Sequence, residues 1–199
     1  MSGKPFVWGA AVALVAGLAC WWISSGAKDA STQVGVPPET VADYVHAVIE
    51  ADRTFYTIHV VERLQKKGAM VASENWRVAN TLPLPAQFLM ESGELAAKTG
   101  TKFRYRLIGL WPINKQNGPA NAFERAGLED VRINPERPFT RTVAEGADRS
   151  FQALYADRAV TQACIGCHNA HPNSPKRDFK LNDVMGGIVI TIPLAQQPG

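Results

Sequence analysis

Residues 164–168 read Cys-Ile-Gly-Cys-His, and this stretch is the most informative part of the 199-residue chain. Cys-x-x-Cys-His is the sequence signature at which a c-type haem is attached. Two thiols three positions apart can each add to a vinyl group on one edge of a porphyrin. The imidazole of the next residue can then ligate the iron axially. The motif therefore predicts one covalently bound haem c, attached at Cys164 and Cys167 and ligated by His168.

Two other kinds of site use closely spaced cysteines. A structural zinc site needs a second pair of Cys or His ligands, but the remaining cysteine, Cys20, lies in an apolar run far from the motif. A thioredoxin-like redox motif belongs to an early βαβ unit, whereas this motif lies late in the chain. Covalent haem is therefore favoured over zinc, a redox dithiol and a chance match.

The composition limits the class of protein. A chain of 199 residues, 46% of them hydrophobic, can form one domain with a buried core and an appendage. The formal net charge is only +3 and the basic residues are scattered. We therefore expect no nucleic-acid partner, because nucleic-acid binding requires a clustered basic surface. Since c-type haems are attached outside the cytoplasmic membrane, the motif also predicts an exported domain.

The N-terminal residues have the character of a membrane anchor. Residues 6–23 form an uncharged apolar run near the short end of what spans a bilayer. Lys4 precedes the run, which predicts that the N-terminus stays in the cytoplasm and that the rest lies on the periplasmic side of the inner membrane. A cleaved signal peptide ending near residues 25–27 is the alternative, and a lipoprotein modified at Cys20 is disfavoured. Three segments are predicted: an uncleaved anchor over 1–27, a linker over 28–37 and a haem domain over 38–199.

Prolines and glycines mark the ends of the predicted helices. Each of two helices begins at a proline and ends before a glycine; they are predicted over 38–67 and 85–98. A short helix is predicted over 123–130, and strands over 103–111, 150–156 and 187–192. Helices followed by strands indicate a single α+β domain.

The first long helix has an apolar stripe at 100° per residue. We expect this stripe to face the core; it contains Val41, Tyr44, Val45, Val48, Phe55 and His59. The opposite, polar side is predicted to face solvent and contains Asp43, His46, Glu50 and Arg53.

The iron requires either a sixth ligand or an open position. The candidates among side chains are His46, His59, His171, Met70, Met90 and Met185. His46 falls on the polar side of the helix, and His171 is too near His168 to reach the opposite face of the ring. We predict His59 as the sixth ligand, because a buried haem needs a distal wall and His59 is on the apolar stripe. A methionine ligand and an open or water-bound position remain the alternatives.

Two further features have less specific interpretations. The pair Gly186-Gly187 before the last strand either lets the backbone approach a flat ligand or forms a turn with a bulge. Four basic residues are candidates to pair with haem propionates: Arg104, Arg106, Lys176 and Arg177.

Residues 42–193 resemble the PAS-like c-type haem domains, which occur alone or as the extracytoplasmic input module of chemoreceptors and histidine kinases. The most specific resemblance runs from Cys164 through His171-Pro172 and Ser174-Pro175-Lys176 to residues 183–187, supported by residues 51–56, 82–86 and 110–114. It implies an antiparallel PAS-like sheet covered by helices, with the haem against it, and it carries over Cys164, Cys167 and His168. The sequence departs from the input modules at its end: it stops at Gly199, and we expect no transmitter of its own.

These observations predict a membrane-anchored, extracytoplasmic monohaem cytochrome that transfers electrons as a subunit or partner of a membrane redox complex. The alternative is a haem-based redox or gas sensor that acts through a separate partner protein. An enzymatic role is not expected. A peroxidase would need an open distal position and an acid–base residue, and only His59 could serve as that residue.

Overall fold

The part of the chain that the computed structural model describes, residues 35–146 and 148–195, contains both helices and strands. In chain order these are α1 (Pro38–Phe55), a π-helical segment (Tyr56–Glu62), α2 (Arg63–Lys66), α3 (Trp76–Ala79), α4 (Pro85–Ala97), β1 (Arg104–Ile108), a 3-10 turn (Lys115–Asn117), α5 (Ala122–Ile133), β2 (Phe139–Glu145), β3 (Asp148–Arg158), α6 (Gln162–Ala170) and β4 (Val184–Leu194). The α+β class is as predicted. In these residues no helix combines the length and the apolar character needed to cross a membrane, and the predicted anchor over 1–27 lies outside them.

The four strands form one antiparallel sheet in the order β1-β4-β3-β2. The two longest strands, β3 and β4, are its centre, with Phe151 opposite Ile192 and Tyr155 opposite Ile188. Because successive side chains of a strand point to opposite faces, each of these strands contributes apolar side chains to both sides of the sheet.

Helices cover both faces of the sheet, which gives three layers. On one face, α1 and α4 pack over a cluster that includes Leu89, Tyr155 and Ile190. On the other face, α5 packs over a cluster that includes Leu154 and Val189. The alternation of Leu154 with Tyr155 and of Val189 with Ile190 matches the two clusters to the two faces.

The paired glycines at the start of β4 are explained by packing inside the sheet. A Cβ atom at Gly186 would lie 2.3 Å from the carbonyl oxygen of Ile108 on β1, and one at Gly187 would lie 2.7 Å from Cδ2 of Leu154. The pairing with β3 also shifts register here, so that Met185 is an extra residue on β4. The predicted bulge is therefore present at these glycines, and the approach of the backbone to a flat ligand stays a prediction.

Most predicted element positions are confirmed. The first helix continues through the π-helical segment to Lys66, and Gly68 follows with φ of +65°. The second helix ends at Ala97 before Gly100, whose φ is +80°. Glycine suits both positions because it adopts positive φ without a Cβ clash. Strand β2 and helix α6 were not predicted.

The predicted orientation of the first helix is wrong. Tyr44, Val48 and Phe55 are exposed by 67%, 62% and 62%, so most of the apolar stripe faces away from the protein core, and only Val45 of the stripe packs against the core cluster. The buried positions of α1 and the π-helical segment are instead Ala42, Ile49, Arg53, Thr57 and Val61. The amphipathic pattern assumes that polar residues face outward, and it fails here because α1 buries polar side chains that have partners on the sheet.

The main polar contact between α1 and the sheet is a buried ion pair. It joins Arg53 of α1 to Asp157 of β3, and their side chains are 7% and 9% exposed. Nη2 of Arg53 also donates to the carbonyl oxygen of Arg158 at 3.4 Å. Burial raises the pKa of Asp157, and the Arg53 guanidinium opposes that rise. A second polar contact joins the same elements, because the Tyr155 hydroxyl donates to Oδ1 of Asp43 at 2.7 Å.

We expect Asp157→Ala to lower the free energy of unfolding by about 3–5 kcal/mol, because it leaves the Arg53 charge buried without its partner. The double variant Arg53→Met with Asp157→Leu should recover most of that loss. Denaturant titration measures both effects. The control is Lys102→Ala, which removes an exposed pair with Asp148 (3.2 Å) and should cost at most about 1 kcal/mol. A loss in Asp157→Ala no larger than the control's would contradict the assignment.

Candidate functional site

The connection between β3 and β4 carries the Cys-x-x-Cys-His motif on α6. Its two ends are joined by backbone hydrogen bonds: Ala159 N–H donates to the carbonyl of Asp183 at 2.9 Å, and Asn182 N–H donates to the carbonyl of Ala159 at 3.1 Å. The site is therefore built on a loop that leaves and rejoins the centre of the sheet at one place.

Helix α6 is defined by local signals at both ends. Thr161 is its N-cap: its buried side-chain oxygen accepts from the backbone N–H of Cys164 at 3.4 Å. At the other end His171 has left helical geometry, but its N–H still donates to the carbonyl of Cys167 at 3.0 Å. Helical geometry places Cys164, Cys167 and His168 on one side, because residues three and four apart are neighbours on a helix surface.

The two thiols are free; Cys164 is half-buried and Cys167 is exposed. Desolvation by the surrounding protein atoms raises the pKa of the Cys167 thiol, with further contributions from Glu74 and Cys164. Among the described residues, no group of three or more His, Cys, Asp or Glu could hold a metal ion.

His168 is half-buried beside the two cysteines. Burial lowers its pKa, and His171 lowers it further, so the imidazole is neutral and has a lone pair available for a metal. Its Nδ1 atom is buried and has no hydrogen-bond partner among the described residues. Two accessible thiols one helical turn apart, together with a neutral imidazole, are a donor set that fits a c-type haem and its iron.

Two glutamates border α6. Hydrogen bonding to Thr161 lowers the pKa of Glu62, which lies in the π-helical segment. At the other end of α6, Oε1 of Glu74 lies 3.3 Å from Nε2 of His171.

An open groove of about 420 Å³ lies between the π-helical segment and the start of α6. It is lined by Ile58, Glu62, Gln65, Lys66, Val160, Thr161, Gln162, Ala163 and Leu181.

The predicted ligand His59 belongs to the same π-helical segment. It is exposed, and its ring lies 4.9 Å from that of Phe55. It comes one residue after Ile58 and three before Glu62, both of which line the groove beside α6. Segments of π-helix are rare and are frequently found at functional sites.

The other candidate ligands have different surroundings. His46 is on the buried side of α1, not the polar side predicted, and its ring stacks on Tyr155 with centroids 4.0 Å apart. The sulfur of Met90 accepts from Asn117 at 3.5 Å, Met185 is the bulged residue of β4, and Met70 is 41% exposed.

Three of the basic residues proposed for haem propionates have other partners. Arg106 makes two hydrogen bonds to Glu124, at 2.5 and 3.3 Å. Arg177 donates to the carbonyls of Pro172 and Ser174. Lys176 pairs with Asp178. Its amino group also lies over the rings of Trp111 and Phe179, and Phe179 contacts the ring of His168.

Several residues around α6 were not anticipated from the sequence, namely Glu62, Glu74, Thr161, Asn169 and Phe179. Glu62 and Glu74 reach the site from distant parts of the sequence, and Asn169 and Phe179 belong to the same connection as α6. Thr161 alone had a local signal, because a threonine three residues before Cys164 is a recognisable N-cap.

Comparison with models of known protein families identifies the family of this chain. The model of the Tll0287-like family, described as Tll0287, matches residues 33–193, most of the chain. The chain belongs to the Tll0287-like family. The matched range includes α6, the sheet and the helices on both of its faces.

Solved structures provide a second comparison for this Tll0287-like chain. The crystal structure of the cyanobacterial haem protein Tll0287 is similar, with 18% sequence identity and a TM-score of 0.52. The match covers 82% of this chain and 100% of that one. At this identity the similarity shows a common fold. No curated protein matches the chain.

The lowered pKa of Glu62 predicts a dependence of stability on pH. A carboxyl whose pKa is lower in the folded state stabilises the fold above its ordinary pKa of 4.5, and that stabilisation is lost as the pH falls through the lower, folded-state value. We expect Glu62→Gln to be less stable than wild type near neutral pH, with the difference shrinking below pH 4.5. Denaturant titrations across this range measure it.

Thr161→Ala is the matched variant, because it removes the hydroxyl that faces Glu62. It should lower the free energy of unfolding by about 1 kcal/mol, since the N-cap is lost. When Glu62→Gln is added to Thr161→Ala, the stability change that it causes should depend less on pH than it does in wild type. A pH dependence of Glu62→Gln that is unchanged by Thr161→Ala would contradict the assigned contact.

Proposed function

We propose that this protein is a membrane-anchored, extracytoplasmic monohaem c-type cytochrome that transfers electrons as a subunit or partner of a membrane redox complex. The observation that carries the proposal is the arrangement on α6, where the thiols of Cys164 and Cys167 and the imidazole of His168 lie on one side of one helix. The family also supports it, because the solved structure that is similar to this chain is described as that of a haem protein.

Each residue has a defined task in this proposal. The thiols of Cys164 and Cys167 would hold the porphyrin by adding to its vinyl groups as thioethers, and the imidazole of His168 would ligate the iron. Bound haem supplies an iron that accepts and donates one electron. Thr161 fixes the first turn of α6, and the hydrogen bonds between Ala159, Asn182 and Asp183 fix the connection to the sheet. A rigid support suits electron transfer, since little has to rearrange when the charge changes.

Cellular placement forms part of the proposal. Residues 6–23 are apolar and uncharged and follow Lys4, which favours an anchor in the inner membrane with the haem domain on the periplasmic side. A sheet covered by helices is also compatible with the PAS-like architecture proposed for this domain.

We also propose His59 as the sixth ligand. It is exposed on the π-helical segment, next to the residues that line the groove beside α6. Glu62, less than one turn further along, lines this groove together with Thr161, and the Thr161 hydroxyl lies 3.4 Å from Sγ of Cys164. These contacts bring the π-helical segment to the start of the helix that carries the attachment motif.

Covalent attachment is tested with cysteine variants of the exported full chain. We expect wild type to keep its haem in acidified organic solvent, and the double variant Cys164→Ala with Cys167→Ala to lose it, because only thioethers resist that extraction. Each single variant should show the shifted pyridine haemochrome band of a haem with one intact vinyl group.

Cys20→Ala is the matched control for these variants, because Cys20 lies outside the motif, and its haem content should equal that of wild type. Haem-free wild type, or extraction-resistant haem in the double cysteine variant, would contradict the proposal.

The sixth ligand is tested by optical and EPR spectra of oxidised and reduced protein, with and without CO. Wild type should be low-spin and should not bind CO, whereas His59→Ala should become high-spin or bind CO because one axial position opens. His46→Ala is the control and should keep the wild-type spectrum, since His46 stacks on Tyr155 against the sheet. A low-spin, CO-insensitive His59→Ala would overturn the ligand assignment. CO binding by wild type would instead favour the sensor function.

A further inference from the structure

Phe179 is the aromatic residue in contact with the proposed iron ligand. It belongs to the connection between α6 and β4 and is only 3% exposed. Its ring stands at 89° to the ring of His168, with centroids 5.9 Å apart, which is an edge-to-face arrangement. Trp111 packs against Phe179 at 6.1 Å and 70°. The amino group of Lys176 lies 4.9 Å from the Phe179 ring centre and 5.4 Å from that of Trp111.

Asn169, the residue after His168, holds Phe179 in place. Its side-chain Nδ2 donates to the carbonyl of Phe179 at 2.9 Å, and its Oδ1 accepts from the N–H of Phe179 at 3.0 Å. This pair of hydrogen bonds engages both backbone polar groups of Phe179. The position of the Phe179 ring is therefore linked directly to helix α6, next to the residue that it contacts.

No hydrogen bond from the described residues orients the ring of His168. A metal-ligating histidine ordinarily donates its second ring N–H to a carbonyl, carboxylate or water, which sets the plane of the ring. Nδ1 of His168 is buried and has no such acceptor among the described residues. The edge-to-face contact with Phe179 is the defined interaction that this ring makes.

We propose that Phe179, held by Asn169, is the positioning residue that sets the plane of the His168 imidazole towards the haem. This rests on the proposed function, because the plane of the imidazole matters only when His168 ligates an iron. The edge-to-face contact and the two Asn169 hydrogen bonds together fix the ring of Phe179 against the imidazole.

The test compares Phe179→Leu and Asn169→Ala in the haem-loaded full chain. Both should keep the wild-type haem content, measured as pyridine haemochrome. Both should also shift and broaden the low-spin ferric EPR signal, because its g values depend on the plane of the axial imidazole. Asn169→Ala leaves the Phe179 ring intact and removes only what holds it, so the test survives if Phe179→Leu fails to fold.

Phe123→Leu is the matched control. Phe123 is a phenylalanine 5% exposed in the cluster on the α5 side of the sheet, and its replacement should lower the thermal unfolding temperature without changing the g values. Haem-loaded Phe179→Leu and Asn169→Ala with wild-type g values would overturn the positioning role while leaving the proposed function intact. Wild type without haem would overturn both, and its haem content alone distinguishes that case.

Discussion

The buried ion pair between Arg53 and Asp157 is the contact on which the position of the site depends. A guanidinium and a carboxylate that are both removed from water stabilise the fold only together, so α1 lies on the sheet where Arg53 meets the end of β3. Asp157 is the penultimate residue of β3, next to the connection that carries α6. One contact therefore determines how the helix crosses the sheet and where the chain leaves the sheet to form the site.

The same residue begins the change in helical geometry. The carbonyl of Arg53 accepts from the N–H of Tyr56 and, at 2.7 Å, from the hydroxyl of Thr57, and the π-helical segment begins at Tyr56. A π-helix has more residues in each turn than an α-helix, so the side chains that follow are rotated relative to those of α1. Ile58 and Glu62 border α6 as a result. A buried charge and a local change of helix type thus act together to bring two distant segments to the same place.

The features that could be predicted from the sequence are the local ones. Helix ends at proline and glycine depend on the φ angle of a single residue, and the spacing within residues 164–168 is a property of five consecutive residues. The face of α1 could not be predicted, because the burial of Arg53 is favourable only when Asp157, more than one hundred residues away, is opposite. Strand β2 was missed because it is an edge strand with exposed polar residues. Phe179 was missed because nothing in its local sequence marks a contact with His168.

The closed base of the β3–β4 connection has a consequence for the way such a domain can diverge. The segment from Val160 to Asp183 leaves and re-enters adjacent strands at hydrogen-bonded positions, so its length and composition can change without altering the sheet register. The sheet and the segment that carries the Cys-x-x-Cys-His motif are therefore structurally separable: a change within the segment need not disturb the strand pairing beneath it.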